Sequence, residues 1–370
     1  MILKSLRLEN FKNIRHASLD FSSNTNCFLG DNGMGKSNLL DAVYYLSFCK
    51  SFTGVTDAML IHRDEDFCML NAVYSRHGAD EDLAVGMQRG RRKSFKRGGK
   101  EYQRLSEHIG KFPLVMVSPA DMSLIEGTGE ERRRFMDMVI SQTDARYLDA
   151  LIRYNHSLEQ RNRMLRDGME DPALFEALEI GMEMSAEYIC GVRREWIKKL
   201  ADIFSKYYAK IGDGREVPGL EYKSHLANEG VKLTRLMAER RLRDTALKYT
   251  TAGPHRDDID MTLSGMPVKR SASQGQAKTY TIALRFAQYD FLKQAVNITP
   301  LLLLDDIFDK LDARRVARIM EVVSTQEDGS DFGQIFITDT NRKHLDEILS
   351  LSKGDFALWS VTDGEFTKIH

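Results

Sequence analysis

The run from Gly30 to Ser37 reads GDNGMGKS, which has the Gly-x-x-x-x-Gly-Lys-Ser spacing of a phosphate-binding loop. Apolar residues at strand spacing precede the run, and an apolar pattern at helical spacing follows it from Leu39 to Leu46. Glycines let the backbone curl tightly around an anion, and the start of the helix adds free N–H groups. The sequence therefore predicts a nucleoside triphosphate site formed by Gly30, Asp31, Asn32, Gly33, Met34, Gly35, Lys36, Ser37 and Asn38.

Two side chains of this loop have predicted chemical roles. Lys36 is expected to reach the β- and γ-phosphates, and the Ser37 hydroxyl is expected to bind Mg²⁺. A glycine-rich turn between a strand and a helix is the alternative. The Lys-Ser pair at the correct offset favours the phosphate loop.

Length and charge limit what the whole chain can do. With 370 residues it exceeds one ordinary domain, so two lobes are expected. The formal net charge is −1, which excludes a general attraction of the whole surface to nucleic acid. Any nucleic-acid contact must come from a local patch or from a shape formed on assembly.

Cysteine usage and hydropathy predict the compartment. The four cysteines are scattered, without the paired spacing of a zinc site or a redox motif, at Cys27, Cys49, Cys68 and Cys190. This usage is typical of a reducing compartment. The N-terminus has charged residues among its apolar ones, unlike a signal peptide, and the densest apolar run, Leu301 to Leu304, is far shorter than a membrane span. We predict a soluble cytoplasmic protein with no membrane partner.

The order of elements indicates an interrupted α/β fold. Two strands joined by a turn at Lys12 and Asn13 precede the loop, an arrangement common in ATPases of the SMC and ABC type. Lys12 either approaches the nucleotide or is a solvated turn lysine. Helical spacing begins at Glu130, and steps of three and four from Phe175 to Tyr207 predict one long helix packed on a partner. Strand-like alternation returns after Thr250.

We therefore predict an α/β protein, an ABC/SMC-type P-loop ATPase head with an inserted mainly helical domain. Residues 1–120 and 246–370 would form the head, and residues 121–245 the helical insertion.

A basic stretch, Arg89 to Lys100, lies in the predicted head. Seven Lys and Arg residues are interrupted by glycines there, which predicts a hairpin with an exposed tip. A solvated loop and an edge that grips a nucleic-acid backbone both fit this composition.

The turn GPHRDD, residues 253–258, also has two interpretations. A His–Asp metal site is conceivable, and a hydrogen-bonded turn is favoured because no second His lies nearby at ligand spacing.

Two further motifs indicate the class of ATPase. Ser273 and Gly275 precede a predicted helix together with Gln276, and a hydroxyl beside helix N–H groups forms an anion site. The apolar strand Leu301 to Leu304 ends in Asp305 and Asp306. Asp305 is expected to hold Mg²⁺, and Asp306 to position the attacking water as the catalytic carboxylate beside Lys36. The later strand QIFIT ends in a hydroxyl where a γ-phosphate could be sensed.

Two anion-binding helix ends in one chain, with one nucleotide to share, suggest head-to-tail pairing. The Ser273–Gly275 helix of one copy would cap the γ-phosphate held by Lys36 of the other. ATP would then join a homodimer, and hydrolysis would release it.

Several motifs taken together resemble the RecF family of bacterial recombination and repair proteins. They are GDNGMGKSNLLDAVYYLS, FPLVMVSPADMSLIEGTGEERRRFMD, YNHSLEQRNRML, GPHRDD, SQGQ and LLLLDDIFDKLD, in that order over nearly the whole chain. The resemblance implies an SMC-like ATPase head without long coiled coils. It also implies dimerisation on ATP, binding to DNA at single-strand/double-strand boundaries, and action with RecO and RecR to help RecA load at gaps during DNA damage repair and the SOS response.

Residue by residue, the resemblance places the loop lysine on Lys36 and the magnesium ligands on Ser37 and Asp305. The catalytic carboxylate falls on Asp306, and the signature serine and glycine on Ser273 and Gly275.

Three positions depart from the family pattern. Thr53 stands where an Arg is frequent, Ala272 replaces a bulky signature residue, and Asp309–Lys310 replaces a Ser–Glu pair. Asp306 has a shorter side chain than Glu, which predicts weak ATP hydrolysis. Together with the resemblance to a DNA-binding family, our hypothesis is a slow ATPase stimulated by DNA.

Other functions are weighed against this one. A transporter's nucleotide-binding subunit would need a membrane partner and a magnesium-sensing glutamine, and an overcoming-lysogeny nuclease would need a further acidic domain. An ATPase subunit of a different assembly and a DNA-binding scaffold with little turnover remain as alternatives.

Overall fold

The protein is described from a computed structural model, which describes residues 1–169, 171–212, 214–227, 230–309, 311–324, 332–351 and 354–370. Lys310, one of the departures from the family pattern, lies outside these ranges. The chain divides into two compact units. The first comprises Met1–Asp121, Tyr207–Asp213 and Gln274–His370, and the second comprises Met122–Lys206 and Gly214–Ser273.

The strands form three sheets. Their bounds are β1 Ile2–Phe11, β2 Ile14–Asp20, β3 Thr25–Leu29, β4 Phe67–Arg76, β5 Ala79–Gln88, β6 Ser94–Arg97, β7 Lys100–Glu101, β8 Leu114–Val117, β9 Pro218–Lys223, β10 Asp258–Leu263, β11 Met266–Pro267, β12 Leu301–Asp305, β13 Ile335–Asp339, β14 Phe356–Thr362 and β15 Glu365–Lys368.

The helices vary from one turn to 40 residues. Their bounds are α1 Lys36–Phe48, α2 Asp57–Leu60, α3 Ser123–Glu126, α4 Gly129–Thr143, α5 Ala145–Arg166, α6 Pro172–Ile211, α7 Leu233–Leu247, α8 Val268–Ser271, α9 Gln274–Val296, α10 Ala313–Ser324 and α11 Arg342–Leu351. No helix in these described ranges is both long enough and apolar enough to cross a membrane.

The first unit contains two six-stranded sheets. One has the order β2-β1-β4-β5-β6-β7 and is antiparallel throughout. The other has the order β15-β14-β3-β13-β12-β8, and all of its pairings are parallel except that of β14 with β15. Strands β12 and β13 are buried along their whole length, which explains their nearly uninterrupted apolar sequence.

The parallel sheet positions the candidate site. Strands β3, β13 and β12 are neighbours, so their carboxyl ends lie side by side at one edge of the sheet. Ligands of open α/β sheets bind at this edge. The loop Gly30 to Ser37 follows β3, Asp305 ends β12, and Asp339 ends β13. Segments about 300 residues apart in the chain are thus brought together.

The second unit is built on long helices and a small antiparallel sheet, β11-β10-β9. Helix α4 begins with a capping box in which Thr128 and Glu131 satisfy each other's backbone N–H groups. Helix α6 confirms the long helix predicted from the spacing of Phe175 to Tyr207, and Met182, Ile189, Trp196 and Leu200 on that seam are buried.

The division differs from the predicted boundaries by one residue at Asp121 and by longer stretches at two other places. Residues 246–273 group with the second unit, whereas the sequence prediction assigned them to the ATPase head. The physical reason is that β10 pairs with β9, and Arg132 of α4 binds both carboxylate oxygens of Asp258. The second stretch is Tyr207–Asp213, which groups with the first unit. There the Tyr207 hydroxyl donates to Asp290 of α9.

All four cysteines are buried and free.

Candidate functional site

The predicted phosphate loop has the backbone its glycines require. Gly33 and Gly35 have φ of 83° and 111°, values that residues with a Cβ rarely adopt. A Cβ on Gly30 would overlap the carbonyl oxygen of Val361 in β14. Two of these glycines thus serve the curl of the loop, and the third allows close packing beneath it.

Lys36 is buried at the base of this loop. Its Nζ donates to the carbonyl oxygens of Gly30 and Asp31 at 2.7 and 2.8 Å. Burial lowers the pKa of Lys36, although the nearby carboxylates, Asp306 and Asp305 foremost, act in the opposite direction. The ammonium group is therefore held by neutral oxygens of its own loop, in a position where phosphate oxygens could replace them.

Asp305 accepts hydrogen bonds from two hydroxyl groups beside the phosphate loop. Its Oδ1 accepts from the Ser37 hydroxyl at 2.8 Å and from the Thr338 hydroxyl at 2.7 Å. The side chains at the ends of β12 and β13 and at the start of α1 are thereby joined. Thr338, the last residue of the QIFIT strand, binds a carboxylate here.

Asp306 faces the same cavity from a strained backbone. Its φ is 49°, an uncommon value for a residue other than glycine, and its N–H donates to the backbone and side-chain oxygens of Thr338. Burial raises the pKa of Asp306, and Asp339 and Asp305 raise it further by charge repulsion. A carboxylate of raised pKa beside a cation is suited to accepting a proton.

These groups line one cavity of about 140 Å³, which we call the nucleotide cavity. Its walls are formed by Asn32, Gly33, Gly35, Lys36, Ser37, Asn38, Asp305 and Asp306. Eight of the predicted site residues thus meet in one place. Gly275 and Gln276 do not line it, as far as the described ranges show, and lie instead in the first turn of α9. Ser273 is exposed immediately before that helix.

The oxygen ligands of the nucleotide cavity suit Mg²⁺ better than a metal ion whose ligands all come from protein side chains. Within the residues described, no three or more His, Cys, Asp or Glu side chains are placed to hold a metal ion. Mg²⁺ is usually bound by one or two protein oxygens together with substrate phosphates and water. The Ser37 hydroxyl and the Asp305 carboxylate, 2.8 Å apart, supply such a pair.

Comparisons with known proteins agree with this geometry. The model of the family described as RecF/RecN/SMC N terminal domain matches residues 2–355. The DNA replication and repair protein RecF of Parabacteroides distasonis is 50% identical over 365 residues, which cover 99% of this chain and 98% of that protein. The protein of the same name from Bacteroides fragilis is 48% identical over 371 residues, covering 100% of this chain and 99% of that protein.

This chain belongs to the RecF family.

Solved structures place the fold within the same group. The recombination mediator protein RecF, described with ATP as part of the RecFOR pathway, superposes with a TM-score of 0.88 at 27% identity and covers 100% of this chain and 98% of its own. An SMC head bound to the C-winged helix domain of ScpA has a TM-score of 0.60 at 16% identity, with 100% of this chain and 97% of its own covered. The predicted SMC-like ATPase head is confirmed as the fold of this RecF family member.

Lys12 is paired with a carboxylate, unlike the solvated turn lysine considered from the sequence. Its Nζ pairs with Asp41 of α1 at 2.7 Å, and the same carboxylate binds Ser51 and the backbone N–H of Phe52. Lys12 therefore holds the first turn of this RecF-family fold to the helix that follows the phosphate loop. Thr53, a departure from the family pattern, lies 2.8 Å from the Ser51 hydroxyl.

Asn13 is a site residue that the sequence interpretation missed. Its amide donates to the carbonyl oxygen of Gly33 at 3.5 Å and accepts from Asn38 at 2.7 Å. From the other side, Gly364 of the β14–β15 turn donates its N–H to the carbonyl oxygen of Met34 at 2.8 Å. Both ends of the RecF-family chain thus brace the phosphate loop. Neither the turn at Asn13 nor the turn at Gly364 has a sequence motif that predicts contact with the phosphate loop.

The basic stretch Arg89 to Lys100 is partly structural. The Arg89 guanidinium donates to four backbone carbonyl oxygens, and Lys93 pairs with Asp57 at 3.0 Å. Arg97 binds Glu81 at 2.7 Å. The exposed cations that remain for a partner are Arg91, Arg92, Lys96 and Lys100.

The GPHRDD turn is hydrogen-bonded, as favoured from the sequence. His255 contacts the Tyr154 hydroxyl at 2.8 Å and the carbonyl oxygen of Thr250 at 3.0 Å, and burial lowers its pKa to about 4. The Arg193 guanidinium donates to Asp257 at 2.9 Å. These contacts fix the turn within the second unit of the RecF-family fold.

Proposed function

We propose that this chain is an ATP hydrolase whose nucleotide joins two copies into a homodimer on DNA. The dimer would form at boundaries between single-stranded and double-stranded DNA and, with RecO and RecR, help RecA load at gaps. The convergence of Lys36, Ser37, Asp305 and Asp306 in the nucleotide cavity carries the proposal. Membership in a family whose relatives are named DNA replication and repair proteins supports the DNA context.

The cavity supports a specific division of roles. ATP phosphates would take the place of the Gly30 and Asp31 carbonyls at Lys36, because an anion binds an ammonium group more strongly than a neutral oxygen does. Ser37 and Asp305 would hold Mg²⁺. When bound, Mg²⁺ supplies positive charge that stabilises the phosphate oxygens as the terminal group leaves.

Hydrolysis would use Asp306 as the acceptor of the proton. A water oxygen bonds to the γ-phosphorus while the bond from that phosphorus to the bridging oxygen breaks, which yields ADP and inorganic phosphate. Asp306 accepts the proton that the water loses, and its raised pKa suits this task. The short Asp side chain positions water less closely than Glu would, so slow turnover, stimulated by DNA, is expected.

Dimerisation would complete the cavity. Ser273 and the first turn of α9 lie outside the residues that line it, and they carry a hydroxyl and the N–H groups with which a helix begins. We propose that these groups of one copy cap the γ-phosphate held by the other copy. Binding of nucleotide would thereby control whether the two copies form a dimer on DNA.

Sedimentation with and without ATP tests the pairing. The parent protein should double its mass with ATP, and Ser273→Arg should remain monomeric while still binding nucleotide. Ser271→Arg is the matched control, since this exposed residue is two positions away, and it should dimerise normally. An ATP-dependent dimer of Ser273→Arg would reject the capping role, and a parent that stays monomeric would reject the nucleotide-joined dimer.

Turnover measurements separate an enzyme from a scaffold. Asp306→Asn should bind ATP, hydrolyse it on the order of 100-fold more slowly and prolong the dimer. Lys36→Ala should abolish turnover. Equal turnover by the parent and Lys36→Ala would favour the DNA-binding scaffold.

A separate binding experiment tests the preference for boundaries between single-stranded and double-stranded DNA. The affinities for gapped, fully double-stranded and single-stranded DNA of equal length are measured in parallel.

A further inference from the structure

Gly275 leaves room for a neighbouring side chain. It lies in the first turn of α9 with an ordinary helical backbone, so its φ does not require glycine. Glycine is less favourable than alanine within a helix. A Cβ at this position would lie 2.8 Å from Nη1 of Arg315, so the flexible guanidinium would have to move away from the start of α9. The missing side chain makes room for the Arg315 guanidinium.

Arg315 is only weakly neutralised where it lies. Among the described residues its only ion-pair partner is Asp312, with Nη1 2.8 Å from Oδ2. The Asp312 side chain is 54% exposed, and ion pairs with exposed partners contribute little. The guanidinium also lies beside the positive end of α9, where a cation is unfavourable and an anion is favourable. Its surroundings therefore suit the arrival of a phosphate group.

We propose that Arg315 is a catalytic residue that acts across the dimer. This inference rests on the proposed function, in which the start of α9 of one copy faces the ATP held by Lys36 of the other. Arg315 of the first copy would contact the γ-phosphate oxygens of that ATP. It would stabilise their charge as the bond from the γ-phosphorus to the bridging oxygen of ADP breaks and the bond to water forms.

Substitution of Arg315 tests the catalytic part. Arg315→Ala should bind ATP and dimerise like the parent but hydrolyse ATP at least 100-fold more slowly, since cations supplied in this way accelerate hydrolysis by about 10³ to 10⁵. Arg315→Lys should recover part of the rate because it keeps the charge. Arg314→Ala, at the exposed neighbouring position, should hydrolyse ATP at the parent rate.

Mixing two inactive variants tests whether Arg315 acts across the dimer. In a heterodimer of Asp306→Asn with Arg315→Ala, the nucleotide on the Arg315→Ala copy has an intact Asp306 and receives the partner's intact arginine. With random pairing, half the dimers are mixed and one of their two sites works, so about a quarter of the parent turnover should return. If Arg315 acts on its own copy's nucleotide, no site is complete and nothing returns. The double variant Asp306→Asn/Arg315→Ala mixed with Arg315→Ala is the control and should stay inactive.

The outcomes separate this inference from the proposed function. A parent protein that does not dimerise with ATP would overturn the proposed function itself. Dimers of Arg315→Ala with parent turnover would overturn only the role of Arg315. Slow turnover without recovery on mixing would overturn its action across the dimer.

Discussion

The nucleotide cavity and the second unit bury positive charge in opposite ways. In the nucleotide cavity, Lys36 is held by two neutral carbonyl oxygens. In the second unit, Arg161 binds Glu179 and Asp244, and Arg193 binds Asp137 and Asp257, all at 2.7 to 2.9 Å. We call the second set the arginine network. Each cation of the network already has carboxylate partners, whereas Lys36 has none at hydrogen-bonding distance in the described structure.

This difference distinguishes a binding site from a structural brace. Carbonyl oxygens can be replaced by phosphate oxygens with a gain in charge pairing, so the nucleotide cavity is ready for an anionic ligand. A carboxylate that loses its arginine stays buried without a counter-charge, which costs several kcal/mol. A buried charge therefore does not by itself identify a functional site. Whether its hydrogen-bond partner is a neutral carbonyl or a carboxylate distinguishes a binding site from a structural ion pair.

The two tryptophans allow the units to be followed separately. Trp359 lies in β14 of the first unit and Trp196 in α6 of the second, and both are buried. Each unit's unfolding by urea can be monitored by fluorescence after the other tryptophan is replaced by Phe. All changes below refer to the free energy of unfolding of the unit that contains the substitution.

The largest loss of stability is expected from breaking the arginine network. Arg193→Met removes the partner of the fully buried Asp257 and should destabilise the second unit by about 3 to 5 kcal/mol. Arg194→Met is the matched control on the same helix. Within the described ranges Arg194 donates to backbone carbonyls and to no carboxylate, so the change should cost less than about 1 kcal/mol. Equal losses in the two variants would show that the network does not depend on carboxylate pairing.

The next largest effect is expected from acid. His108 in the first unit and His255 in the second are buried, and burial lowers the pKa of each to about 4. Both are neutral in the folded and unfolded states above pH 6.5. Between pH 6.5 and 4 only the unfolded state gains the proton, so stability falls with pH. Each histidine should remove about 2 to 3 kcal/mol over this range.

Single substitutions assign these acid losses to the units. His108→Gln should flatten the pH dependence between 6.5 and 4 only for the unfolding reported by Trp359. His255→Gln should do so only for that reported by Trp196. An unchanged slope in either variant would mean that the histidine titrates normally in the folded protein.

The phosphate loop was predictable because its signal is contiguous. A strand, eight loop residues and a helix are consecutive in the chain, and each glycine position follows from backbone geometry. Asp305 was likewise predictable, since carboxylates directly after a buried strand must lie at the edge of the sheet. The long helix α6 was evident from its spacing.

Partners distant in sequence were not predictable from composition. Lys12 and Arg89 had the sequence context of solvated or phosphate-binding residues, and only tertiary structure gives them Asp41 and backbone carbonyls as partners. Asn13 reaches the loop because two turns far apart in the chain meet there. The limits of the second unit depend on the pairing of β10 with β9, which no local pattern revealed.

A smaller change is expected when the cation of the nucleotide cavity is removed. Lys36→Met should alter the stability of the first unit by less than about 1 kcal/mol, because burial of the ammonium opposes its charged form. Its affinity for ATP should fall on the order of 100-fold. Urea unfolding followed by Trp359, together with ATP titration, checks both. A loss of stability comparable with that of Arg193→Met would remove the contrast between the two regions.

The smallest change, a gain, is expected from Asp306→Asn. Burial and repulsion by Asp339 and Asp305 raise the pKa of Asp306, so ionisation of this group opposes folding. The loss of stability begins near the ordinary carboxyl pKa and is complete once pH exceeds the raised value. Asn avoids this loss and tolerates the positive φ at position 306, so the variant should be slightly more stable than the parent at pH 7.

Two features of this gain tie it to repulsion among carboxylates. It should vanish below the ordinary carboxyl pKa, where Asp306 is protonated in both states. Asp309→Asn should give a smaller gain of the same sign, because the exposed Asp309 carboxylate also raises the pKa of Asp306. A less stable Asp306→Asn at neutral pH would mean that Lys36 already neutralises the carboxylates of the cavity. The nucleotide cavity would then be a closed charge network like that of the second unit, and its readiness for a phosphate ligand would need another physical cause.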